Sequence, residues 1–93
     1  MPKKSGLEYM IAFVREYLDG DMDRMNFDLD FNHCLIQNYP KMERENRDIA
    51  ECFNFYLAEE GIDQAFSLSD SEHKKLIGKQ FTEFKSAMQD GIF

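Results

Sequence analysis

The 93-residue chain has no tryptophan, only two cysteines, two prolines and five glycines. So little proline and glycine argues against a disordered or low-complexity chain. No stretch approaches the roughly 18 uninterrupted apolar residues of a membrane span. Glu8 and Arg15 break the apolar start of the chain, and no small-residue cleavage site follows, so we expect no signal peptide. Two distant cysteines then indicate reduced thiols and a cytoplasmic protein that does not engage membranes.

Motifs for catalysis are also missing. The sequence has no glycine-rich phosphate loop, no nucleophile elbow and no His-Glu-x-x-His pair. His33 and Cys34 are neighbours, but adjacent residues on a helix point about 100° apart and cannot form a dyad. Cys34 and Cys52 are predicted to be thiols of the core, and His73 is predicted to be solvated. We therefore expect no enzyme activity and no cofactor.

Acidic residues are abundant and unevenly placed. The net charge is −7, and residues 16–63 carry thirteen acids against four basic residues. Contact with phosphates requires clustered lysine and arginine, so this distribution disfavours nucleic-acid binding. It favours a basic protein partner, or a chain whose charge serves only solubility.

Apolar residues recur at helical spacing in four segments, about 6–19, 23–39, 46–60 and 70–89, and no segment alternates with the period of a strand. Each segment has one apolar side to bury, and the connections are short. The sequence therefore predicts a single all-α domain, an antiparallel up-down four-helix bundle.

Capping signals mark most ends of these helices. Ser5 with Glu8, and Ser69 with Glu72, have the spacing of capping boxes. Gly20 is expected to end the first helix, and Asp23 to cap the second.

The ends around the third helix are less determined. Pro40 is expected to stop the second helix, because the residue before a proline avoids helical geometry. The start of the third helix stays open between Pro40 as a first-turn residue and Asn46 as the cap. Gly61 fits the residue after its end.

The stretch LDGDMDRMNFDLDF, residues 18–31, holds five aspartates and suggests a calcium loop. With Asp19 in the first position, Asp21 and Asp23 fall at positions three and five. However, Arg24 stands where an EF-hand has glycine, and Asp30 where it has glutamate. The helical pattern also requires residues 23–39 to be continuous helix, so we expect no metal site.

Glu59 and Glu60 lie at the predicted end of the third helix, where the helix dipole disfavours negative charge by roughly 0.3–1 kcal/mol each. With Asp63 they form a second acidic cluster. Charges kept against local helix preference suggest selection for binding. The alternative is that exposed charges cost little and need no explanation.

Three stretches in this order resemble the colicin D immunity-protein family: FVREYLDGDMDRMNFDLDFNHCL, AECFNFYLAEEGID and SLSDSEHKKLIGKQFTEFK. The shared features are a first helix ending at Gly20, a helix capped by Asp23 and leading to Phe27, an aromatic third helix with Phe53, and a final helix capped by Ser69. They cover roughly residues 11–85.

The resemblance implies a small four-helix bundle that binds a tRNA-cutting toxin nuclease and blocks its active site with acidic side chains. No family contact residue carries over by position. The expected partner-binding residues are therefore chosen by charge: Asp21, Asp23, Asp28, Glu51, Glu59, Glu60 and Asp63. Such an acidic surface suits the basic cleft of a nuclease toxin domain.

An interaction or regulatory module unrelated to toxins, either a monomer or a weak homodimer, is the alternative. It would be marked by an exposed apolar patch, for which Tyr9, Phe13 and Phe55 are candidates because they lie off the main apolar stripes.

Overall fold

The computed structural model describes residues 6–89, with side chains to residue 87. Regular structure in this range is helical, without a strand, which confirms the all-α prediction. The elements are α1 (Gly6–Leu18), α2 (Arg24–Phe53), a π-helix (Asn54–Ile62), α3 (Asp63–Ala65) and α4 (Asp70–Gln89). The chain divides into two compact units, Met1–Ala50 and Glu51–Phe93. Among the described helices, none combines the length and apolar character needed to cross a membrane.

A carboxylate far away in sequence caps the start of α1. The predicted cap, Ser5, lies outside the described residues. The Gly6 and Leu7 N–H groups donate to the two Glu45 carboxylate oxygens, at 3.0 and 3.3 Å. Gly6 suits this close approach, because a Cβ there would lie only 3.1 Å from the Asn38 carbonyl oxygen. One side chain thus satisfies two donors that a helix start leaves unpaired, and it ties α1 to α2.

The end of α1 follows the prediction. Gly20 has a φ of 90°, which glycine adopts without steric cost. Its N–H donates to the Tyr17 carbonyl at 3.2 Å, and the Asp21 N–H to the Glu16 carbonyl at 2.9 Å. These two bonds make a Schellman motif, which reverses the chain towards α2.

The start of α2 and the core of the first unit also agree with the sequence. The Asp23 carboxylate accepts a 2.8 Å bond from the Asn26 N–H, as an N-cap does. Phe27 is fully buried and stacks on Tyr17, with ring centroids 4.3 Å apart. The ring centroids of Phe13 and Phe31 lie 5.6 and 5.5 Å from that of Phe27. This aromatic cluster joins α1 to α2.

The predicted stop at Pro40 is wrong. Pro40 lies inside α2 and is exposed. Proline has no N–H group, so the carbonyl of Ile36, four residues earlier, has no helical donor. Ile36 is exposed, so this carbonyl lies on the outer side of the helix, where its lost bond costs least. The helical path breaks instead at Asn46, whose backbone is extended (φ −167°, ψ 106°). The Asn46 side chain accepts a 3.1 Å bond from the Ile49 N–H. Of the two starts left open for the third predicted helix, Asn46 as the cap is the observed one.

Gly61 does not end the third predicted helix, contrary to expectation. The helical backbone passes through it and continues to Ala65. Gly61 is buried, and a Cβ there would lie 3.0 Å from the Tyr56 carbonyl oxygen and 3.3 Å from the Ile77 Cδ1 atom. The glycine therefore permits close packing of the π-helix against α4, and its φ is not positive.

The buried residues in this part of the second unit recur every fourth position, from Phe53 through Leu57 and Gly61 to Ala65. In an α-helix such a repeat drifts about 40° per step around the axis. A π-helix, with roughly 4.4 residues per turn, drifts about 30° the other way. Combining both helix types keeps the repeat on one side.

In α4, Ser69 is the N-cap that the sequence predicts: its hydroxyl accepts a bond from the Glu72 N–H at 3.4 Å. The prediction that His73 is solvated is wrong, since it is 1% exposed. It lies four residues before Ile77 on the buried side of the helix, and helical spacing carries it inward with that side. Phe53 and Phe84 pack edge to face at 5.2 Å within the same unit.

The cap at α1 leads to a stability prediction. Glu45→Ala removes the acceptor for two helix-start N–H groups, and we expect the free energy of unfolding to fall by about 0.5–2 kcal/mol. Urea unfolding followed by far-UV circular dichroism measures it. Glu43→Ala, an exposed neighbour on the same helix, is the control and should change little. Equal losses for both variants would show that the cap contributes nothing.

Pro40 leads to a second prediction, of opposite sign. Pro40→Ala restores a helical N–H at an exposed position, so we expect the free energy of unfolding to rise by about 1–2 kcal/mol. Asn46→Ala removes a cap and should lower it by about 1 kcal/mol. Both follow from urea unfolding under one set of conditions. A loss of stability in Pro40→Ala would mean that the packing of α2 requires the proline.

Candidate functional site

The seven acidic residues predicted to bind a partner all reach the surface. Six are exposed, and Asp28 is half-buried. They fall into two sets, one in each compact unit. The first-unit acids are Asp21, Asp23 and Asp28, and the second-unit acids are Glu51, Glu59, Glu60 and Asp63.

The first-unit acids surround the start of α2. Asp21 lies in the turn after α1, with its side chain exposed. Asp23 uses one carboxylate oxygen as the helix cap. Asp28 forms an ion pair with Arg24 one turn earlier, at 3.4 Å. The geometry of Asp23 and Asp28 is thus fixed by local bonds, while the charge of Asp28 is partly offset by its arginine.

The second-unit acids lie along continuous helical backbone. Glu51 is near the end of α2, Glu59 and Glu60 are on the π-helix, and Asp63 opens α3. The predicted position of Glu59 and Glu60 at a helix C-terminus is therefore wrong. The helix dipole gives no reason to regard them as costly there.

No calcium loop forms in the aspartate-rich stretch. Residues from Arg24 onward are helical, so the last seven positions of the tested EF-hand register cannot wrap an ion. Across residues 6–89, no three His, Cys, Asp or Glu side chains are grouped closely enough to hold a metal ion.

A feature that sequence reasoning missed is a row of exposed aliphatic side chains on α2. Met25, Leu29 and Ile36 are 73%, 70% and 72% exposed. At about 100° per residue, these three and Asn32 fall within about 60° of one another around the helix. Phe27 and Phe31 lie on the opposite side of α2 and are buried. We call Met25, Leu29 and Ile36 the outer stripe.

The signal for the outer stripe is present in the sequence. Its residues are spaced by four and seven positions, which is helical spacing. A surface helix is expected to have one apolar side, and the stripe that contains Phe27 already provides it on this segment. A second apolar side was therefore not predicted. Of the candidates for an exposed patch, Tyr9 and Phe55 are exposed, but Phe13 is buried against Phe27.

A small depression on α1 lies beside Tyr9, Ala12, Phe13 and Glu16 and has a volume of about 90 Å³. Ligand pockets usually measure about 300–1,000 Å³, so this one is too small for a typical substrate. The electrostatic interaction with the neighbouring Cys34 side chain raises the pKa of the Tyr9 phenol, and a hydrogen bond between the two side chains raises it further. Both Tyr9 and Cys34 are within the first unit.

Cys52 behaves as a structural thiol rather than an activated one. It is half-buried, and burial raises the pKa of the thiol. Because the thiolate is the reactive form, a raised pKa slows reaction at neutral pH. This is opposite to what a catalytic cysteine requires.

The raised pKa of Cys52 predicts a pH profile for alkylation. The rate of reaction with iodoacetamide should rise with pH, with a midpoint higher than that of an unstructured cysteine peptide. Mass spectrometry of peptide fragments can follow Cys52 in the folded chain and, as the control, in urea, where the midpoint should return to the peptide value. A folded midpoint at or below that of the peptide would contradict this.

No protein-family model matches the chain, and no curated protein or solved structure is significantly similar to it. The candidate surfaces are therefore defined by the geometry of this chain: two sets of exposed acids and the outer stripe.

Proposed function

We propose that this chain is an immunity-type inhibitor that binds the basic active-site cleft of a tRNA-cutting nuclease toxin. The observation that carries the proposal is the exposure of the acidic side chains: six of the seven candidate carboxylates are exposed, and the other is half-buried. A nuclease cleft must be basic to hold RNA phosphates, and carboxylates can take the places of those phosphates.

The charge of the whole chain supports the same partner. A net charge of −7 on 93 residues produces a long-range field that attracts a basic surface. Such steering raises the association rate by about 10–10³-fold and weakens as salt increases. An inhibitor that must reach a toxin before the toxin reaches tRNA gains directly from fast association.

Several finer features stay predictions from the sequence. They are the antiparallel up-down four-helix bundle, the cytoplasmic location, the absence of enzyme activity, and a monomeric or weakly dimeric state. The proposed inhibition depends on none of them except a location shared with the toxin.

An acidic interaction module unrelated to toxins is the second candidate. The outer stripe supplies the exposed apolar patch expected of such a module, but it would serve a nuclease partner equally well, so it does not separate the two candidates. The two candidates differ in one outcome: a module of this kind would leave nuclease activity untouched.

The decisive experiment uses the basic nuclease domain encoded beside this chain in its genome. Purified chain is added to that domain, and cleavage of tRNA is followed. We expect cleavage to stop at about one chain per nuclease domain. The absence of such a neighbouring gene, or unchanged cleavage at excess chain, overturns the proposal and leaves the unrelated module.

Charge reversal tests the steering. Glu59→Lys with Glu60→Lys changes the net charge from −7 to about −3, so we expect association with the nuclease domain to slow by at least about 10-fold and to depend less on salt. Stopped-flow or surface-based kinetics at several salt concentrations measure both. Glu59→Gln with Glu60→Gln is the matched control and should give about half the effect on the logarithm of the rate. An unchanged association rate in the lysine variant would show that these residues do not face the approaching partner.

A further inference from the structure

The outer stripe is unusual for a helix that already has a buried side. Phe27, Phe31 and Leu35 bury one side of α2, and Met25, Leu29 and Ile36 line the other. Scattered exposed aliphatic residues are ordinary on protein surfaces. Three that are at least 70% exposed and aligned on one side of one helix are a patch.

Acidic groups border this patch. Five aspartates and a single arginine lie between residues 19 and 30, the stretch that also contains Met25 and Leu29. That arginine, Arg24, is held by Asp28. Asp21 and Asp23 precede the first residue of α2 and stand four and two positions before Met25. An apolar centre with a negatively charged border is complementary to an apolar patch bordered by lysine and arginine.

A second copy of the chain fits this surface poorly. Each copy has a net charge of −7 and would bring its own aspartates to the contact. The three side chains also offer on the order of 400 Å² of apolar surface, about half of what each partner gives to a stable interface. The charge therefore favours a basic partner, whose polar contacts around the apolar centre would supply the remaining contact area.

The second unit offers no equivalent surface. Phe66 is 83% exposed but lies in the turn before α4, not in a row on one helix. Phe55 is 46% exposed and packs edge to face on Tyr56 at 5.2 Å. Glu59 and Glu60 thus have acidic charge without an aligned aliphatic row beside them.

We infer that the outer stripe of α2, bordered by Asp21, Asp23 and Asp28, is the contact surface for the basic nuclease domain. This inference rests on the proposed function and selects one of the two acidic sets as the one at the contact. Acids of both units attract the partner from a distance. On contact the outer stripe loses its water, so it is expected to contribute most to how long the complex lasts.

The test separates these two effects by kinetics. Leu29→Ala with Ile36→Ala removes most of the aliphatic surface, and alanine at exposed helix positions favours the helix, so the fold is kept. With the nuclease domain of the inhibition assay as the probe, we expect dissociation to become at least about 10-fold faster and association to change by less than about twofold. Circular dichroism confirms that the variant is folded.

Two controls accompany this variant. Phe66→Ala removes an equally exposed apolar side chain from the second unit and should leave both rates unchanged. Asp21→Asn with Asp23→Ser removes two charges but keeps a capping side chain at residue 23. It should slow association and reduce its salt dependence, without matching the effect of the stripe variant on dissociation.

Each outcome decides the inference. If the chain inhibits the nuclease but the stripe variant dissociates like the unchanged chain, the inference is wrong and the proposed function stands. If the chain inhibits no nuclease, both are wrong. Sedimentation equilibrium tests the remaining case, in which the chain is a dimer. If Leu29→Ala with Ile36→Ala converts that dimer to a monomer, the outer stripe binds a second copy and the inference is overturned.

Discussion

The rest of the first unit depends on how the Phe27 ring is buried. It is fully enclosed and stacks on Tyr17 at 4.3 Å, in contact with Phe13 and Phe31. Burial of one such ring contributes roughly 1.5–3 kcal/mol, before the further gain from aromatic pairing. That contact fixes the rotation of α2 about its own axis. Once Phe27 points inward, helical geometry turns Met25 and Leu29 outward, and no local adjustment can bury both sets.

The continuity of α2 gives this outward side its length. A helix that ended at Pro40 would stop only a few residues after Ile36, so its outward side would be shorter. The structure carries the helix to Asn46, because the proline lies on the exposed side where its lost hydrogen bond costs least. Glu45, at the far end of this segment, reaches back to the start of α1. The aromatic cluster and this cap hold both ends of α1 against the helix that displays the outer stripe.

What could be predicted from the sequence is mostly local. The helix ends at Gly20, Asp23 and Ser69 are made by bonds within a few residues, so their signals are complete in the sequence. Glu45 caps the start of a helix 39 residues earlier in the chain. The space for a side chain at Gly61 is limited by Ile77 of another helix. Such roles depend on which helices meet. The candidate acids were predictable as surface residues, because charge is rarely buried. The outer stripe was not predicted, because the stripe containing Phe27 already accounts for one apolar side of the same helix.

The acids and the outer stripe act over different distances. The charge acts before contact and selects the partner, and the apolar surface stabilises the complex after contact. At about 0.15 M salt, charges are screened over about 8 Å, so carboxylates influence a partner before contact, whereas an apolar surface gains only at contact. An uncharged chain with the outer stripe would tend to self-associate. With a net charge of −7, copies repel one another while a basic surface is attracted. The charge thus determines which surfaces can approach Leu29 and its neighbours closely enough to displace water.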